Sequence, residues 1–131
     1  SVFQTPPYNH PVSGGLHPGM AVYIEGTVPK KATRFGMNFA YGRDIILHFN
    51  PRFHYRKIVL NSCQSGKWGK EESSKLPFQK GEHFEAVFIV SETEYQVDIR
   101  DRGSFGTAGP QLIYSSVKML FTFFDLIICL L

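Results

Sequence analysis

His48-Phe49-Asn50-Pro51-Arg52 sets an imidazole, a carboxamide and a guanidinium on alternate residues, and Asn61, Trp68 and Glu71 follow downstream. In an extended chain alternate side chains share a face, so His48, Asn50 and Arg52 point one way while Leu47, Phe49 and Phe53 point the other. The result is a polar row over an apolar floor. Ile58-Val59-Leu60-Asn61 repeats the device, and the only tryptophan, Trp68, lies seven residues after Asn61.

These groups suit recognition of a saccharide. Asparagine alone offers two donors and an acceptor, and a sugar's hydroxyls need such mixed partners. Trp68 adds a flat apolar face for the C–H side of a pyranose, and Glu71 can accept from hydroxyls or orient Arg52 through an ion pair. Singly, each residue has a commoner explanation as a core group or a surface ion pair. Their conjunction in one segment is the signal.

Catalysis is not expected. Glu71 and Glu72 are adjacent and diverge on a strand, and nothing supplies a second carboxylate at the roughly 5–9 Å that glycoside hydrolysis needs. Ser62 beside Cys63 has no base at recognisable spacing. His10, His17, His54 and His83 show no metal-ligand spacing, so neither a metal nor a cofactor is expected.

At the polar row the sequence resembles the galectins, the S-type lectins that bind β-galactosides. The match is H-x-N-P-R at His48 to Arg52, Asn61 in V-x-N, and W-G-x-E at Trp68 to Glu71, with the spacing from Asn61 to Trp68 as the family has it. Gly14-Gly15-Leu16, Gly19-Met20 and Gly26-Thr27-Val28 resemble the family's first strands, and Leu76-Pro77-Phe78 with Gly81 the segment after the tryptophan. The likeness runs from Pro11 to Val97. It implies a carbohydrate-binding set of His48, Asn50, Arg52, Asn61, Trp68 and Glu71. Trp68 would stack on galactose, His48, Asn50 and Arg52 would hold the axial 4-hydroxyl, and Asn61 with Glu71 would take the 6-hydroxyl side. The expected partners are galactose-containing glycans of glycoproteins or glycolipids, cross-linked where two sites act together.

Two departures bear on this. The family usually has an arginine two residues past the glutamate, where this chain has Ser73; Lys75 is no equivalent, because an ammonium lacks the planar fork. From Ile99 onward the family's hairpin and last strands are hard to recognise, with Arg100-Asp101-Arg102-Gly103 in place of a tighter asparagine-glycine turn and Phe124-Asp125 in place of glycine-aspartate. Both departures favour an alternative: a protein-interaction or structural module with weakened or lost sugar binding.

The elements that must position these residues are short strands. Aromatic residues are 15% of the 131, twelve of them phenylalanine, with frequent glycine and proline and no helical period. The all-β reading is two packed antiparallel sheets, and the resemblance adds the jelly-roll form. Met20 to Val28 is a half-buried strand in which Gly26 marks a bulge or close approach. Arg34 to Ala40 puts Phe35, Met37 and Phe39 on one face. Pro51, with no N–H, is expected to end or bulge its strand. Phe84 to Val90 reads as an inner strand and Tyr95 to Ile99 as an alternating one. Residues 1–10 read as an extended arm and 11–131 as a single carbohydrate-recognition domain, the chain being too short for a second.

The net charge of +3 is spread along the chain and reads as solubility charge, with no nucleic-acid partner, although an acidic glycan would profit from it. Two cysteines, Cys63 and Cys129, are too few for a disulfide scaffold and are expected as free thiols. Ser1 to His10 has no secretory pattern and no N-glycosylation acceptor occurs, so a cytoplasmic location is expected; the resemblance adds non-classical secretion to the cell exterior. Leu112 to Leu131 has the length of a membrane helix, but Lys118 and Asp125 would each cost about 2.5–3.5 kcal/mol near the bilayer centre. It is expected instead as two strands, Val117 to Phe123 and Leu126 to Leu131, with no membrane insertion. Their apolar surface calls for cover by the N-terminal arm or by a second subunit in a homodimer through terminal strands.

Overall fold

The computed structural model describes residues 2–4, 8–12, 14–108, 117–122 and 127–130; for 2–4, 8–10, 108, 117–122 and 127–130 the description is the strand path and its pairing. Among the described residues the fold has thirteen strands: β1 (Val2–Gln4), β2 (Tyr8–Val12), β3 (Ala21–Thr27), β4 (Gly36–Tyr41), β5 (Asp44–Arg52), β6 (Lys57–Gln64), β7 (Lys67–Trp68), β8 (Glu72–Lys75), β9 (His83–Val90), β10 (Glu94–Ile99), β11 (Gly103–Ala108), β12 (Val117–Thr122) and β13 (Ile127–Leu130). They form two antiparallel sheets. One has the order β1-β13-β3-β9-β10-β11, and the other runs β2-β12-β4-β5-β6-β7, with β8 also paired to β6. No helix among the described residues is long and apolar enough to cross a membrane.

The alternation seen in the sequence builds the core between the sheets. Phe35, Met37 and Phe39 from around β4, Leu47 and Phe49 from β5, and Ile58 and Leu60 from β6 meet Phe84, Ala86, Phe88, Val97 and Ile99 of the other sheet. Phe39 and Phe49 both pack edge-on against Phe88, with ring centroids 5.1 and 5.6 Å apart, a geometry that aromatic quadrupoles favour.

Several local expectations are refined. Pro51 does not end β5: it pairs with Ile58 and the strand continues to Arg52. Its carbonyl accepts from Phe35 N–H at 3.2 Å, so the missing donor falls where the ladder to β4 is only starting. The register shifts lie elsewhere, between Ile45 and His48 against β6 and at Phe39/Ala40 against β5. Gly26 is no bulge, since pairing runs through it to both neighbours. Within β9 only Phe84, Ala86, Phe88 and Val90 are buried, while Glu85, Val87 and Ile89 are half-buried on the outer face.

The C-terminal third is more regular than its sequence looks. Ile99 pairs with Gly103, and Arg100-Asp101-Arg102 closes a three-residue hairpin with Asp101 at φ 63° and Gly103 at φ 126°. An aspartate tolerates that left-handed position better than most residues, which is how the turn forms without asparagine-glycine. The tail gives two strands, β12 and β13. Phe123 to Leu126 and Leu131 lie outside the described residues. Each tail strand is interior to its sheet, β13 between β1 and β3 and β12 between β2 and β4, so segments of residues 1–12 pair with it on one side. Strands flanked on both sides carry the apolar runs that read as conspicuous in the sequence.

Candidate functional site

β5 and β6 lie side by side in the seven-stranded sheet. Because Leu47, Phe49, Ile58 and Leu60 point into the core, His48, Asn50, Arg52, Asn61 and Cys63 must point to the sheet's outer face. β7 then folds back along β6 and sets Trp68 opposite Cys63, on that same face. His48, Arg52, Asn61, Trp68, Gly69 and Glu71 line one open depression of about 390 Å³. Asn50 is the one residue of the expected set that does not line it.

Each polar group is held. Asn50, only 4% exposed, donates through Nδ2 to the Phe35 carbonyl at 2.7 Å and accepts at Oδ1 from Arg52 Nε at 2.8 Å. Arg52 Nη2 reaches Glu71 Oε2 at 3.1 Å. That leaves three of the guanidinium's five N–H donors, and most of the carboxylate's acceptor sites, for a ligand. Asn61 donates to the Gly69 carbonyl at 3.0 Å and accepts from Ser62 N–H at 2.8 Å, which ties the strand to the loop carrying Glu71. Trp68 is 51% exposed, with its ring 5.1 Å from that of His48 at an interplanar angle of 60°. The result is an aromatic plate with one uncovered face, ringed by fixed donors and acceptors.

His48 Nδ1 bonds Asn38 Oδ1 at 2.5 Å. An amide oxygen only accepts, so Nδ1 carries the proton and Nε2 of the neutral ring presents a lone pair. Burial, reinforced by the Arg52 cation, holds the imidazole below its ordinary value of 6.5, against smaller opposing effects of Asn50 and Glu71. A histidine whose folded pKa is depressed protonates first in the unfolded chain. Stability is therefore expected to fall as pH drops from about 6.5 to the folded pKa, and to level off below it. Denaturant midpoints across that window should show the slope in the native sequence and lose it in His48→Asn.

Two supporting roles were not evident from the sequence. Asn38 is 7% exposed and lies directly across from His48 in the β4–β5 ladder; its one local signal is a polar residue between Met37 and Phe39. Gly69 packs so closely that a Cβ there would stand 3.2 Å from Asn61 Oδ1. On the outer face of the other sheet, His83 also meets partners that its spacing concealed. It lies with Glu25 and Glu85, their potential ligand atoms within 4.8 Å of one another, and Glu85 is bonded to Arg100 at 2.6 Å. Cys63 is a free, buried thiol.

The family described as galactoside-binding lectin matches residues 7–109. Galectin-6 of Mus musculus is 51% identical over 98 residues, covering 71% of this chain and 33% of its own length. Galectin-4 of Homo sapiens is 48% identical over 99 residues, 71% of this chain and 31% of its own. The chain thus spans about a third of the length of these curated relatives. Among solved structures, a complex of toad ovary galectin with thio-digalactose superposes with a TM-score of 0.72 at 25% identity, covering 92% of this chain and 90% of that one.

Proposed function

The chain belongs to the galactoside-binding lectin family, the galectins, which are carbohydrate-binding proteins and not enzymes, and we propose that it reversibly binds β-galactosides such as lactose or N-acetyllactosamine. The observation that carries this reading is the half-exposed Trp68 face set beside the anchored groups His48, Arg52, Asn61 and Glu71 in one depression. Galactose would lie with its apolar face on the indole. Its axial 4-hydroxyl would donate to His48 Nε2 and accept from Arg52, whose direction Asn50 fixes from below. Asn61 and Glu71 would take the 6-hydroxyl side. The thio-digalactose held in the toad galectin complex supports the same class of sugar.

An open, wet site gives modest affinity, so strong attachment to a glycoconjugate needs two or more sites acting together. A homodimer formed through the terminal edge strands would supply them and cross-link glycans.

Discrimination at the 4-hydroxyl follows from geometry. Turning that hydroxyl equatorial leaves fixed polar groups unpaired at about 1–3 kcal/mol each, so cellobiose should bind at least about tenfold more weakly than lactose. Calorimetric titration with both disaccharides tests it. Equal affinity would overturn the assignment of His48 and Arg52 to the 4-hydroxyl, and no binding of either by folded protein would favour the protein-interaction reading.

A further inference from the structure

The strand register that aligns the sugar-facing residues also aligns cations. Arg34 lies across from Arg52, Arg52 from Lys57, and Lys57 from Lys75. Directly opposed residues in an antiparallel ladder share a face. Arg52, Lys57 and Lys75 therefore form a basic row across β5, β6 and β8 on the face that carries the depression. One row nearer the depression stand Asn50, Val59 and Ser73, again in register. Ser73 is exposed and its side chain is one carbon and a hydroxyl, so nothing bulky there separates Glu71 from Lys75.

Like charges set directly opposite one another destabilise a sheet. Among the described residues the carboxylate that pairs with this row is Glu71, and it pairs with Arg52. Glu72 pairs opposite Leu60 and so points to the other face. Among the described residues neither Lys57 nor Lys75 has an ion pair. Lys57 Nζ stands 5.8 Å from the centre of the exposed Tyr55 ring, and Lys75 is exposed. Along β6, Lys57 lies six positions from Cys63, which stands opposite Trp68, a span of about 20 Å. A ligand stacked on Trp68 would have to extend past its first ring to reach these ammonium groups.

We infer that the outer face continues past the galactose depression into a cationic subsite, formed by Lys57 and Lys75, that takes an acidic group, sulfate or carboxylate, carried on a sugar beyond the galactose. The subsite rests on the galactoside reading and adds a preference for acidic over neutral oligosaccharides. One half-buried lysine and one exposed lysine, each acting as a screened ion-pair donor, give a preference of about three- to tenfold that shrinks as salt is raised.

The test compares a tetrasaccharide of two lactosamine units with the same tetrasaccharide 6-O-sulfated on its N-acetylglucosamines, with lactose as the reference ligand. In the native sequence the sulfated form should bind about three- to tenfold more tightly at low salt. In Lys57→Gln/Lys75→Gln the preference should vanish, with lactose affinity and thermal midpoint unchanged. Equal binding of the two tetrasaccharides by protein that binds lactose, or a preference that survives the double substitution, overturns the subsite alone. Failure of folded protein to bind lactose overturns the galactoside reading and the subsite with it.

Discussion

Trp68→Ala is expected to weaken lactose binding by at least about thirtyfold, the loss typical of an aromatic anchor at the centre of a binding surface, while leaving the thermal midpoint within about 3 °C of the native value. Fold and function separate here because of where the ring sits. Trp68 ends a two-residue edge strand, is half exposed, and lies outside the core between the sheets. Removing it opens no cavity there. It deletes the aromatic plate of the depression, while His48, Arg52 and Glu71 keep their own partners. Calorimetry with lactose measures the first effect and a circular-dichroism melt the second. A variant that unfolds at room temperature would show that the indole is a core group.

Phe35→Ala should do the opposite and cost about 3–5 kcal/mol of stability, a large share of the roughly 5–15 kcal/mol available to a domain, with a fall in thermal midpoint of about 10–20 °C. The ring is fully buried, with centroids of Phe53, Phe78 and Phe84 at 6.1, 5.4 and 6.1 Å. Phe84 belongs to the opposite sheet, so the cluster joins the two layers. The same residue's carbonyl holds Asn50, which in turn aims Arg52. Any folded Phe35→Ala protein should therefore also bind lactose more weakly, whereas Phe35→Leu, closer in volume, should lose a smaller part of both. Urea unfolding of the two variants, followed by lactose titration of whatever remains folded, checks the coupling.

The face on which each site residue lies was legible because a strand's period of two needs only neighbouring residues. His48 and Arg52 alternating with Leu47, Phe49 and Phe53 fixed a polar and an apolar side, and the structure keeps both. Depth was not legible. Asn50 has the same parity as His48, yet it sits beneath Arg52 as a support, since what covers a side chain depends on the reach of its neighbour. Cross-strand partners were hidden for a related reason: Asn38 is ten residues from His48 and became its partner only through the β4–β5 register. Pro51 was misjudged because the cost of a missing N–H depends on whether a partner ladder is present, which no local pattern states. The tail looked anomalous because its strands had no visible flanks. Pairing with residues near the N-terminus, more than a hundred positions away, supplies them.

Binding of galactose in the depression around Trp68 can be read directly. Trp68 is the chain's only tryptophan, so its fluorescence reports on that depression without labelling. Titrating the protein with lactose, and with sucrose as a control lacking galactose, should give saturable quenching or a spectral shift with lactose and none with sucrose. An unchanged spectrum across the lactose titration, from protein shown to be folded, would mean that the depression does not bind galactose.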